Sequence, residues 1–165
     1  MPTPRRALAL LTPLALAATA CTPTPQADAK PAATLASAPF EKALATDWHL
    51  TYRDLPGTER RMGEGKGPKN LHIGVVETKS TGGTLTSLAC QAFGKDVPQA
   101  TRFLLACAKA ATNAPAPVRH WLTSHIDRPS KGPGHTTTHG PLDYHLGVNR
   151  TQGVRVLYLS PTTKN

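Results

Sequence analysis

Apolar residues recur at two different periods along this chain, and the change of period divides it into helices and strands. Phe40, Ala43, Leu44 and then Asp47 to Trp48 predict a short helix. It leads into a strand where Trp48, Leu50 and Tyr52 alternate with His49, Thr51 and Arg53, and Leu55-Pro56-Gly57 ends that strand. Leu71, Ile73, Val75 and Val76 mark a second strand reaching Lys79, and Ser80-Thr81-Gly82-Gly83 turns the chain toward Thr84 to Phe93, so a β-hairpin is expected. The second arm also fits a helical template through Leu85, Leu88, Ala89, Ala92 and Phe93.

Asp96-Val97-Pro98-Gln99 reads as a helix start. It offers a side-chain acceptor at the N-cap, a Pro in the first turn where its missing N–H costs nothing, and a Gln three residues on. This helix runs to about Thr112, with Phe103, Leu104, Cys107, Ala110 and Ala111 on its apolar face. Pro115 and Pro117 interrupt, and Val118, Trp121, Leu122 and His125 to Ile126 form a second amphipathic piece. Leu142, Tyr144, Leu146 and Val148 alternate, Asn149 to Gly153 turns, and Val154, Val156 and Tyr158 alternate back as a terminal hairpin. Two stretches show no period: Thr58 to Asn70, with charges among Gly63, Gly65 and Gly67, and Arg128 to Pro141, rich in Gly, Pro, Thr and His. Both are predicted loops. The expected fold class is α+β: a small antiparallel sheet built from two hairpins plus an N-terminal strand, covered on one face by one or two helices.

At 165 residues the chain has the length of about one domain. Sixteen Pro and 13 Gly exclude a long coiled coil, and the length excludes a large multi-domain enzyme. Arg5 and Arg6 precede an uncharged Leu/Ala-rich stretch, Ala7 to Ala20, which is shorter than the roughly 20 residues a spanning helix needs and reads as the apolar part of a signal peptide. The stretch closes with Ala18-Thr19-Ala20-Cys21, which resembles the lipobox of bacterial lipoproteins, with Ala18 where Leu is usual. The resemblance covers the signal segment alone. It implies cleavage before Cys21, diacylglycerol on that thiol and acylation of the new amino terminus, anchoring the chain to a membrane without spanning it. Thr22 in place of Asp is similar to lipoproteins passed to the outer membrane, in hosts that have one. An ordinary secretory signal cut after Ala20 is the other reading. The expected organisation is a signal peptide over 1–20, the lipidated Cys and a disordered Pro/Ala/Thr tether over 21–39, a single α+β domain over 40–161, and a tail over 162–165.

Export exposes cysteines to an oxidising environment, and with Cys21 lipidated, Cys90 and Cys107 remain as a pair. With a turn near Lys95, Cys90 lies about 16 Å back along a strand at ~3.3 Å per residue. Cys107 lies about 15 Å along the following helix at ~1.5 Å per residue. The two meet at one level, which favours a strand for Thr84 to Phe93 and a Cys90–Cys107 disulfide contributing about 3 kcal/mol, over two buried free thiols.

Candidate chemistry beyond this is sparse. His135, His139 and His145 could supply three imidazoles to a catalytic zinc, with Asp143 as a carboxylate ligand or base, in a metal-dependent hydrolase. In extended chain, however, His135 and His139 stand about 13 Å apart, and solvated loop histidines are the plainer reading. No Gly-x-Ser-x-Gly elbow or His-Glu-x-x-His occurs in the sequence. Lys and Arg total 19 against 10 Asp and Glu; loss of Arg5 and Arg6 leaves 17 against 10. Arg60, Arg61, Lys66 and Lys69 in one predicted loop, with Arg119, Arg128 and Lys131 around the other, would form a patch for an anionic polymer if the fold joined them. Three Phe, two Trp and three Tyr are too few for a base-stacking platform, which disfavours nucleic acid. The leading expectation is an exported, membrane-anchored lipoprotein with a non-catalytic binding or scaffolding role at the cell envelope, needing no cofactor. Its alternatives are the zinc hydrolase and the anionic-polymer binder.

Overall fold

A computed structural model describes Leu35 and residues 37–79, 84–130 and 134–162. Helix α1 (Ser37–Trp48) precedes four strands, β1 (Thr51–Asp54), β2 (Arg60–Lys66), β3 (His72–Lys79) and β4 (Leu85–Phe93). Helices α2 (Val97–Thr112) and α3 (Ala116–His125) follow, then β5 (His135–His139), β6 (Leu142–Asn149) and β7 (Val154–Pro161). The strands form one antiparallel sheet in the order β1-β2-β3-β4-β7-β6-β5. The fold is therefore α+β, with β3–β4 and β6–β7 as the two expected hairpins.

Strand alternation sends every second side chain to the helices. Ile73 and Val75 of β3, Leu88, Cys90 and Ala92 of β4, Leu157 and Leu159 of β7, and Tyr144, Leu146 and Val148 of β6 are all buried in one core. Helix α2 lies on β4 and β7 and presents Ala100, Phe103, Leu104, Cys107, Ala108 and Ala111 to them. Asp96 caps it by accepting from the Gln99 amide at 3.0 Å, and Asn113 closes it in the left-handed conformation. Helix α1 packs on α2, with Phe40 and Leu44 fully inside and the Trp48 ring edge-on to Phe103 at 5.2 Å.

Both predicted loops contain strands. In β2 the glycines make room for side chains above them. A Cβ at Gly63 would stand 2.7 Å from the Tyr52 ring, and one at Gly65 would stand 2.8 Å from Leu50 Cδ2. In the second loop, β5 pairs with β6 across the two-residue turn Gly140-Pro141, where Gly140 supplies the positive φ of +60°. The domain also starts earlier than residue 40. Leu35, 3 % exposed, bridges to Leu85, and α1 begins at Ser37, so the end of the expected tether belongs to the fold. The signal segment, Cys21 and most of the tether lie outside the described residues, as do the turn 80–83, Lys131 and residues 163–165 of the expected tail.

One buried cation ties the sheet to the helices. Arg155 of β7, 2 % exposed, occupies an inward position. Its guanidinium donates to the carbonyls of Ile126, just past α3, and Gly94, in the β4–α2 turn, each at 3.1 Å, and reaches Asp127 Oδ1 at 3.5 Å.

The glycine positions make opposite predictions on the two faces. Gly63→Ala must displace the Tyr52 ring and is expected to destabilise by about 1–2 kcal/mol in urea unfolding. Gly74→Ala, on the other face and with no neighbour nearer than 3.7 Å, is expected to be neutral or slightly stabilising by the same measurement.

Candidate functional site

Because all three helices lie on one face, the other face of the sheet carries its own outward row. Met62, His72, Gly74, Val76, Ala89, Gln91 and Phe93 stand there from β2 to β4, and Val154, Val156, Tyr158, His145 and Gly147 continue it on β7 and β6. Among the described residues the large hydrophobic side chains that are exposed, Phe93 at 38 % and Tyr158 at 40 %, both point this way. Two depressions open on this face where a glycine replaces a side chain in the outward row. One of about 470 Å³ lies beside Gly147 and is lined by Ser130, Asn149, Arg150, Val154 and Val156. The other, of about 240 Å³, lies beside Gly74 and is lined by Met62, His72, Gln91 and Phe93. The arrangement is a broad surface of mixed polarity, suited to contact.

The expected basic patch is dispersed by the same alternation. Arg60 and Lys66 project from the open face at the two ends of β2, about 20 Å apart at ~3.3 Å per residue. Arg61 projects to the helical face, where it meets Glu41 at 3.3 Å and Asp54 at 3.5 Å. Lys69, in a 3-10 turn, is ion-paired with Asp96 at 3.0 Å, and Arg119 donates to the Ala114 carbonyl at 2.6 Å.

The three histidines also separate. His135 and His139 share the helical face of β5, at the two ends of an extended strand. His145, opposite Thr136, projects from the other face beside Tyr158. His135 Nε2 lies 3.1 Å from the Arg128 carbonyl oxygen, and its ring lies 4.9 Å from that of His125. Among the described residues no three His, Cys, Asp or Glu side chains converge as metal ligands.

Cys90 and Cys107 are neighbours, as their spacing implies, but both are free, buried thiols, which corrects the expected disulfide. Burial pushes the Cys107 thiol well above its ordinary value, and the adjacent Cys90 thiol adds to the rise. The Cys107 thiol is therefore protonated and unreactive at neutral pH.

A polar cluster that the sequence reading did not single out lies under the first turn of α1. Glu77 of β3 is completely buried, held at Oε2 by the Ser37 hydroxyl at 2.9 Å, with Oε1 unpartnered. Burial chiefly raises its carboxyl to about 7; the Ser37 hydrogen bond opposes the rise and Glu41 adds to it. Tyr52, whose hydroxyl is also buried without a partner, is pushed far above its ordinary range by burial and then by Glu77. The signal was present: Glu77 continues the inward series Ile73, Val75, where an acidic residue breaks the apolar alternation. Neither depression reaches this cluster.

Compared with known proteins, the chain matches no family model, no curated protein and no solved structure.

Thiol titration checks the cysteine geometry. In the Cys21→Ala variant, purified without reductant, two thiols are expected to react with Ellman's reagent in guanidinium and react slowly in the native protein. Fewer than two in the unfolded chain would mean that a bond had formed.

Proposed function

We propose that this protein is an exported lipoprotein, anchored to a bacterial membrane through Cys21, whose domain binds a partner in the cell envelope through the open face of its sheet and performs no catalysis. The supporting observation for the binding role is the concentration of exposed Phe93 and Tyr158 with both glycine-floored depressions on the one face that no helix covers. Exposed aromatic side chains beside polar groups are typical of contact surfaces, because they combine a large apolar area with few rotamers to immobilise. The anchor is supported by the lipobox-like Ala18 to Cys21. Two or more acyl chains at about 0.8 kcal/mol per buried CH₂ hold a protein stably on a bilayer.

Each half of this reading has its own test. Palmitate labelling should mark the wild-type chain and leave Cys21→Ala unlabelled, with the variant moving to the soluble fraction; equal label in both would refute the anchor. For the binding face, a photo-cross-linking residue is placed in living cells at Phe93, at Tyr158 or at the exposed Arg102 of α2. Adducts are expected from the first two positions and not from the third. Equal yield at all three would remove the open face from the proposal.

A further inference from the structure

The polar cluster at the start of α1 contains one fewer hydrogen than its contacts require. Ser37 Oγ stands 2.9 Å from Glu77 Oε2 and 3.0 Å from Glu41 Oε1. A hydroxyl carries a single hydrogen and can donate to only one of these oxygens. With both carboxyls ionised, the other contact would set lone pairs against each other in a buried site. Lys79 does not resolve this, because its Nζ lies 3.6 Å from Glu41 and 3.7 Å from Glu77, beyond good hydrogen-bond range. The contacts close if one carboxyl keeps its proton. Glu77 is the holder, since it is fully buried with Oε1 unpartnered, whereas Glu41 is partly exposed and faces Arg61 at 3.3 Å. The order is then Glu77 donating to Ser37, Ser37 donating to Glu41, and the Glu41 carboxylate paired with Arg61.

We propose that this shared proton is a pH-sensitive latch that holds the first turn of α1, and Leu35 before it, against the sheet. The charged and titratable groups around it pull both ways, and burial together with Glu41 outweighs the opposing groups. Glu41 from α1 repels an ionised Glu77; Lys79 from β3 and Arg61 from β2 favour ionisation, though Arg61 is shared with Glu41 and with Asp54 of β1. Tyr52 of β1 stays neutral, and Cys90 of β4 and Cys107 of α2 are buried free thiols. Because the native carboxyl titrates near 7 and an unfolded one near 4.5, the folded chain binds the extra proton between these values. The latch is therefore complete at acid pH and is lost as pH rises through about 7. Opening is confined to the first turn, because Phe40 and Leu44 remain buried in the core. Its consequence for a tethered protein rests on the lipid-anchor reading: release of Leu35 and the first turn lengthens the chain between membrane and domain. The latch itself does not require the anchor.

Amide hydrogen exchange on the wild-type protein in detergent, and on Cys21→Ala, tests this at pH 5.5 and 8.5 after correction for intrinsic rates. The amides of residues 41–44, which bond to the first-turn carbonyls, are expected to lose at least tenfold protection at the higher pH while those of β6 and β7 keep theirs. Glu77→Gln, neutral at every pH and able to donate to Ser37, is expected to abolish the pH dependence. Ser37→Ala is expected to lower protection at both values. Unchanged wild-type protection, or the same trend in Glu77→Gln, overturns the latch. Should Glu77→Gln fail to fold, carboxyl carbon NMR of the wild type decides: a Glu77 midpoint below 5 overturns it and one near 7 sustains it. A latch seen in Cys21→Ala but with no palmitate on the wild type would leave the latch standing and remove only its effect on tether length.

Discussion

A guanidinium taken out of water must find acceptors, and in this fold Arg155 finds them on two segments far from it along the chain. Leaving such a charge unpaired would cost several kcal/mol, so the Ile126 and Gly94 carbonyls are obliged to converge on it. One acceptor lies just past α3 and the other in the turn entering α2, while Arg155 itself sits on the strand beside β4. The turn is tightened further by the Gly94 amide donating to the Gly153 carbonyl at 2.9 Å. The ends of the helical layer are thereby tied to a strand at the centre of the sheet.

With the helices committed to one side, the sheet is left asymmetric, and the asymmetry sorts the chemistry. Inward positions become costly for charge, so Arg61, Glu77 and Arg155 must each be answered by a partner on that side. Outward positions carry no such demand, which is why His72, Gln91, His145 and Tyr158 can stand beside glycines without a packed neighbour above them. Glu77 and Tyr52, whose protons burial holds in place, therefore lie on the helical side, while the open face lies opposite, across the thickness of the sheet.

Elements with one strong period were legible in the sequence. Helix α2 shows its cap, its start and its apolar face, and β6 alternates without a break. The strand β7 is legible too, but Val154, Val156 and Tyr158, which mark it, face outward while Arg155, Leu157 and Leu159 face the core. What failed were segments whose residues answer to neighbours far along the chain. Gly63 and Gly65 resemble loop residues until Tyr52 and Leu50 are placed above them, and His135 to His139 lacks any apolar signal because β5 is an edge strand paired on one side only. Arg60 and Arg61 are adjacent in sequence and opposite in space for the same reason, since a strand turns consecutive side chains to different faces. The proximity of Cys90 and Cys107 followed from rise per residue, but proximity does not fix oxidation state. Glu77 could be found only by taking a broken alternation as information.

The strand order has a kinetic corollary. Every pairing in the sheet joins strands consecutive along the chain except β4 with β7, whose union brings Gly94 and Arg155 together across 61 residues. Local hairpins close quickly, whereas a loop of that length carries an entropic cost of about 4 kcal/mol before any of its contacts form. Folding therefore divides into two quickly zippered halves and one slow seam. Until that seam closes, β4 and β7 are both unprotected edges rich in Leu, Val and Ala, and the newly made chain is most prone to pair with copies of itself.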